Sequence, residues 1–180
     1  GVSGPNLNLC INSAYLDLGN ITVSEASNND FGAGSGQSYI LSAPSGFELQ
    51  PGTASITSSG ADISNVSISN NSQNIIIFYD IDGSANSPAD QFTISGLKVR
   101  ATGTPSSGDI LRTGGTATQN GNAVSDANSH GTLNSTNGTL TFTNDATANT
   151  ICSDDGITFT ASASGATNYE YRINGVLSQT

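Results

Sequence analysis

The chain has 180 residues, of which 14 are Asp or Glu and 4 are Lys or Arg, giving a formal charge of −10. So few cations exclude a surface that tracks nucleic-acid phosphates and a polybasic patch for anionic membranes. Hydrophobic residues are 34 % and charged residues only 10 %, so the high charge typical of a disordered chain is missing; Ser, Thr, Asn and Gly, about half of the residues, suit β-sheets joined by many turns.

No sustained apolar stripe of helical spacing occurs, and no apolar run approaches the roughly 18 residues that would span a bilayer. Short strands recur instead. Leu7 and Leu9 alternate with polar residues and lead into Cys10 and Ile11. Leu16 and Leu18 alternate, and after Gly19 the pattern resumes in the opposite phase at Ile21 and Val23. A glycine at a phase change predicts a bulge or corner. Gly32–Gly36 reads as a flexible loop before a strand from Ser38 to Ala43. Pro44-Ser45-Gly46 is a turn, Phe47 and Leu49 share one strand face, and Pro51-Gly52 turns again.

Ala54 and Ile56, then Ile63, Val66 and Ile68, mark two further strands, with Asn70-Asn71 as a hairpin turn. Ile75–Ile81 is the strongest strand and is apolar on both faces, which predicts a central position or a covered outer face. Phe92 and Ile94 face inward, Gly96 shifts the phase, and Leu97, Val99 and Ala101 continue inward with Lys98 and Arg100 outward. Ile110-Leu111, Thr116–Thr118 and Leu140–Phe142 supply the later strands. Many short strands between Gly, Pro and Asn turns predict an all-β protein built as an antiparallel sandwich.

Leu140–Thr143 reads as the closing strand of a first unit spanning 1–143, and the polar Asn144–Asn149 stretch as a linker. The segment 144–180 then opens a second unit. Ile157, Phe159 and Ala161 alternate, as do Asn168–Ile173, and Asn174-Gly175 is a type I′ hairpin signal before Val176 and Leu177. So few strands do not close a sandwich core alone. The expectation is one complete domain plus the first strands of another. Cys10 and Cys152 each precede the first alternating strand of a unit, consistent with a tandem array of period about 140 residues. The chain begins directly in mature-looking sequence, as expected once an export signal is removed or for a piece of a longer protein.

Candidate sites are sparse. His130, the sole histidine, lies in the loop Asp126–Gly131, and no G-x-S-x-G motif accompanies it. The expectation is no catalytic residue and no enzyme activity. The acids are scattered over loops, and without Trp the chain has few platforms on which sugars stack. Calcium is the metal that Asp, Asn and backbone oxygens suit best. Asp80, Asp82 and Asp90 form one candidate cluster, and Asp145, Asp154 and Asp155, with Asn144, form a second at the unit boundary. Neither has the full spacing of a calcium loop, and solvated turn acids are the plainer reading. Lys98, the only lysine, reads as an outward surface charge rather than a cross-linking partner. The cysteines lack the neighbourhoods of zinc or redox sites. A Cys10–Cys152 bridge would need α-carbons within about 7 Å, which the two ends of an extended array disfavour. Of five N-x-S/T sequons, at Asn20, Asn65, Asn70, Asn134 and Asn137, chance matches in an Asn-rich chain are the simplest account.

Three phrases carry a resemblance. They are Pro44-Ser45-Gly46-Phe47-Glu48-Leu49-Gln50-Pro51-Gly52; Ile94–Ala101 followed by Gly108–Gly115; and Ile151-Cys152 with Phe159-Thr160-Ala161 and Tyr169–Val176. Together they resemble the tandem immunoglobulin-like (Ig-like) repeats of very large surface adhesins of the Bacteroidota, including the SprB-type gliding-motility adhesins. The resemblance covers most of the chain. It implies Ig-like sandwich repeats, export by type IX secretion, an extracellular location at the cell surface, and display as a filament used in attachment and gliding. It supplies no catalytic residues.

The function expected is therefore that of a structural repeat in an adhesin filament. Its partners would be neighbouring repeats, with surface polysaccharide or the substratum possible beyond them, and no nucleic acid or membrane insertion. Two alternatives stand beside it. One is a glycan-binding module using loops such as Asp30–Gln37 or Ser84–Asp90. The other is an accessory domain of a secreted enzyme.

Overall fold

Alternation of apolar and polar residues makes each segment a strand with one face inward, and two glycines decide how those strands are shared between sheets. The computed structural model describes residues 1–11, 13–27, 30–83, 88–118 and 128–136 in full, and beyond them the backbone of strands 140–144, 159–163, 171–173 and 176–179. The chain is all-β. In order, the strands are β1 (Val2–Ser3), β2 (Asn6–Cys10), β3 (Leu16–Asp17), β4 (Ile21–Ser24), β5 (Gly34–Ser42), β6 (Phe47–Leu49), β7 (Ser55–Ser59), β8 (Ile63–Asn70) and β9 (Asn74–Ile81). They continue with β10 (Gln91–Ser95), β11 (Lys98–Ala101), β12 (Ser107–Asp109), β13 (Leu111–Gly114), β14 (Thr132–Thr136), β15 (Leu140–Asn144), β16 (Phe159–Ala163), β17 (Tyr171–Ile173) and β18 (Val176–Gln179). No helix of the described residues is long and apolar enough to cross a membrane.

Chain contacts divide the molecule into two units, Gly1–Thr136 and Asn137–Thr180. In the first, one layer consists of the sheets β1-β4-β10-β7 and β3-β11-β6. These are long strands broken in two. The inward phase steps oddly from Leu18 to Ile21 and from Ile94 to Leu97, which a regular strand of period two does not allow. Gly19 at φ +91° and Gly96 at φ +72° absorb the step. The two breaks lie side by side, since the Leu18 N–H donates to the Leu97 carbonyl at 2.8 Å. The phase changes read from the sequence are thus corners where the chain passes from one sheet to the next.

The other layer consists of β13-β5-β9-β8 and β12-β14-β2. β9 lies between β5 and β8, as its two apolar faces predict. Ile75, Ile77, Tyr79 and Ile81 turn into the core, whereas Phe78 is 46 % exposed on the outer face. From the first layer come Ile21, Val23, Phe92, Ile94, Val99 and Ala101, all fully buried. Phe92 centres an aromatic group, with ring centroids of Phe31, Tyr39 and Tyr79 at 6.0, 5.7 and 5.8 Å. Rings from β5, β9 and β10 thus join the two layers, each burial worth about 2–3 kcal/mol.

Several details differ from the sequence reading. Gly34–Gly36 belong to β5 rather than to a loop, with a register shift between Gly34 and Gln37. Thr116–Thr118 pairs as no strand; Ala117 N–H donates to the Ser38 carbonyl at 2.9 Å and the segment closes the edge of β5. Leu16 is 45 % exposed, on β3, a two-residue strand at the edge of its sheet. The spacing Ile63, Val66, Ile68 reflects a bulge in β8, where Asn65 adopts φ +52° and the register shifts between Ser64 and Ser67. Among the described strand pairs of this unit one is parallel, β2 with β14, from Thr132 opposite Asn6 to Thr136 opposite Cys10, and just beyond it Ile11 makes an isolated parallel bridge with Ala101 of β11.

In the second unit β15 pairs with β16, and β17 with β18, both antiparallel. Leu140–Asn144 pairs with Phe159–Ala163, and chain contacts group both with the second unit, Asn137–Thr180. The first unit has its last strand already in β14, which fills the place between β12 and β2.

Candidate functional site

The sole histidine is not at a surface. His130, just before β14, is fully buried. Its Nδ1 lies 2.9 Å from the Asn128 carbonyl, which only accepts, so Nδ1 carries a proton. Its Nε2 lies within hydrogen-bond distance of the Tyr39 hydroxyl, at 2.7 Å. Arg112 completes the group. It is 2 % exposed, its guanidinium stands 4.4 Å over the Tyr39 ring, and its Nη2 donates to the Ala117 carbonyl. The pairing of Arg112 with Leu41 turns it inward, and its neighbour Leu111 turns outward at 37 % exposure. Packing thus reverses the order hydropathy would give. A fully buried imidazole does not reach a solvent-borne substrate, and the group's chemistry is that of a satisfied polar core.

A second buried polar group is acidic. The Glu25 carboxylate accepts from Phe31 N–H at 2.7 Å and from Asp90 N–H at 2.9 Å. The Asp90 carboxylate accepts from Asp62 N–H at 3.0 Å and Ile63 N–H at 3.2 Å. Burial holds Asp90 above the usual carboxylate range, with help from the nearby Glu25 and Asp62 charges and against the pull of the two N–H donors. These acids stitch the entry to β10 to the ends of β4 and the start of β8.

Asp90 turns inward, whereas Asp80 lies on the outer face of β9, its carboxylate accepting from Asn65 Nδ2 at 2.6 Å and from Gly36 N–H. Asp82 follows β9, its N–H donating to the Asp62 carbonyl at 3.1 Å. Among the described residues no group of three or more His, Cys, Asp or Glu side chains is placed to hold a metal ion. Asp145, Asp154 and Asp155 lie outside the described residues, as does Cys152. Cys10 is half-buried at the end of β2.

The candidate segment Asp30–Gln37 runs into β5, and its polar groups bond both within it and to neighbouring segments. Asp30 accepts from Ala26 and Ser27 N–H, and the Gln37 amide donates to the Gly32 and Gly34 carbonyls. Residues 84–87 of the other candidate loop lie outside the described residues. Lys98 and Arg100 face outward from β11, Lys98 Nζ 3.7 Å from Asp17 and Arg100 Nη2 2.8 Å from Glu48. Each faces its acid directly across a strand pair.

The most distinctive geometry is the parallel ladder. β2 and β14 pair over five positions, and the ladder is extended at both ends. Thr132 N–H donates to the Pro5 carbonyl at 2.8 Å, and Ile11 N–H to the Thr136 carbonyl at 3.2 Å. Across it, Asn134 Nδ2 donates to Asn6 Oδ1 at 3.2 Å, and Ser107 donates to Asn134 Oδ1 at 2.6 Å. Leu133, opposite Leu7, is fully buried. Because the two strands run the same way, the chain enters β2 at one pole of the unit and leaves β14 at the other. Sequence reading placed strands at both ends but carried no signal for their direction, since alternation is identical in parallel and antiparallel pairs.

No family profile, curated protein or solved structure matches this chain.

Proposed function

We propose that the chain is a load-bearing structural repeat of an extracellular adhesin filament, with Ig-like sandwich units strung end to end. In this reading it acts in surface attachment and gliding after type IX secretion. The observation that supports it is the parallel β2–β14 pair. Pull applied before β2 and after β14 acts on opposite ends of that ladder. All its hydrogen bonds are then strained together, in shear, rather than opened one at a time. An antiparallel closing pair would put both pulling points at one end and unzip. Entry and exit at opposite poles also suit a chain of repeats in series. The polar, uncharged faces and the net charge of −10 keep such a long shaft soluble.

The test is to stretch the 180-residue chain between two handles at its ends in a single-molecule instrument. The expected record has one discrete rupture for the first unit, with a length gain on the order of 450 Å at about 3.3–3.6 Å per released residue over Gly1–Thr136. Moving the second handle to Asn128, at the opposite end of β14, converts shear to peeling and lowers the rupture force. Smooth extension at low force, or equal force in both geometries, refutes the load-bearing role.

A further inference from the structure

The outer face of β13-β5-β9-β8 carries a feature that a load-bearing shaft does not need. Along β9 the residues Asn74, Ile76, Phe78 and Asp80 alternate outward. Phe78 is 46 % exposed, and the residues directly opposite it, Ser38 on β5 and Ser67 on β8, are small. Ile40 lies opposite Ile76 and extends the apolar floor. Two positions beyond the ring, about 7 Å along the strand, stands Asp80. Its carboxylate is already oriented, one oxygen by Asn65 Nδ2 at 2.6 Å and the other by Gly36 N–H. Those two donors hold Asp80 below the usual carboxylate range, with burial a smaller opposing effect. A carboxylate has about four acceptor positions, and the two bonds named use two of them.

We propose that this face binds a neutral polysaccharide, one pyranose ring lying on Phe78 with its hydroxyls donating to Asp80. The chemistry selects that occupant. An aromatic ring beside a fixed acceptor fits a ligand with one apolar C–H face and several hydroxyl donors. No cation of the described residues serves this face: Lys98 and Arg100 pair with acids on the other layer, and Arg112 is buried over Tyr39. An anionic polysaccharide would meet Asp80 on a chain of net charge −10 and be repelled. A second copy seated on this face would meet the same like-charge repulsion. The inference does not depend on the filament reading, because a binding face works equally on an isolated module.

The test uses the 180-residue chain in affinity gels cast with neutral glucans, mannans, galactans and xylans. Amide-resolved NMR titration with the matching oligosaccharides follows. The expected result is retardation by at least one neutral polysaccharide, with shifts at Asn65, Ser67, Phe78 and Asp80. Phe78→Ala weakens binding about tenfold or more, from loss of the stacked ring. Asp80→Asn weakens it severalfold, while Leu16→Ala, an exposed apolar residue on the other layer, leaves it unchanged. Circular dichroism melts verify that each variant is folded. No retardation by any neutral polysaccharide overturns the proposal. So does a preference for alginate or hyaluronan, binding indifferent to Phe78→Ala, or self-association that Phe78→Ala abolishes.

Discussion

The Tyr39 hydroxyl and His130 Nε2 meet 2.7 Å apart inside the core, joining the middle of β5 to the residue that introduces β14. The contact anchors one end of the β2–β14 ladder to the aromatic centre. Tyr39→Phe keeps the ring beneath Arg112 and removes the hydroxyl that bonds His130. The expected cost is about 1–3 kcal/mol, from the loss of a buried hydrogen bond. A denaturant titration should move its midpoint downward with unchanged slope; an unmoved midpoint would show that the hydroxyl contributes nothing.

Glu25 uses its two oxygens on two backbone donors, Phe31 N–H and Asp90 N–H. An amide supplies one acceptor and sets an NH2 group against the other N–H. Glu25→Gln is therefore expected to cost about 1–3 kcal/mol despite its near-identical shape. Equilibrium unfolding of this variant beside Glu25→Asp measures it, and wild-type stability would contradict the two-donor arrangement.

Alkaline stability follows from Tyr79. Burial pushes its hydroxyl up to about 12 from 10.0, with the Arg112 charge opposing and Glu25 adding to the rise. The folded phenol keeps its proton where the unfolded chain has lost it. Below pH 10 this group makes no difference, and stability falls as pH rises from 10 towards 12, by on the order of 2 kcal/mol. Tyr79→Phe should flatten that part of a stability–pH curve; an equally steep curve would place the loss elsewhere.

Gly4 is required for space. A Cβ there would lie 1.9 Å from the His130 carbonyl oxygen and 2.7 Å from Gly131 N, both backbone atoms. Gly4→Ala must push the start of β2 away from β14, at a cost of about 1–3 kcal/mol or more. Gly1→Ala, whose nearest atom is Ser24 Oγ at 3.9 Å, should be neutral. Thermal melts of the two variants compare them directly.

Leu133 tests the ladder's core side. Fully buried opposite Leu7, it should lose about 2–5 kcal/mol on conversion to Ala. The rupture force in the end-to-end geometry should fall with it, whereas Thr57→Ala on the exposed edge strand β7 leaves that force unchanged. Equal forces in the two variants would separate mechanical resistance from this ladder.

Much of the strand plan was legible from alternation: Phe47 with Leu49, Phe92 with Ile94, Leu97 with Val99 and Ala101 are all buried as spaced. The phase breaks at Gly19 and Gly96 were legible too, because an odd step in a period-two pattern has few backbone solutions. The buried polar residues were not. Arg112 beside Leu111 looks like a surface charge, and His130 among Asp, Asn and Ser looks like a loop residue. Only their partners, Tyr39, Ala117 and Asn128, reverse that reading, and those lie on other segments. Nor did scattered acids reveal that Asp90 turns inward and Asp80 outward.

Local periodicity and turn chemistry by themselves determined that this chain is all-β, where most strands lie, and which faces they bury, because side-chain alternation is a property of each strand alone. The tertiary structure decided the boundary at 136/137, the parallel closure of β2 on β14, and which polar residues enter the core. Those outcomes depend on which distant segment supplies the opposing hydrogen bonds. No residue encodes that choice until the layers meet.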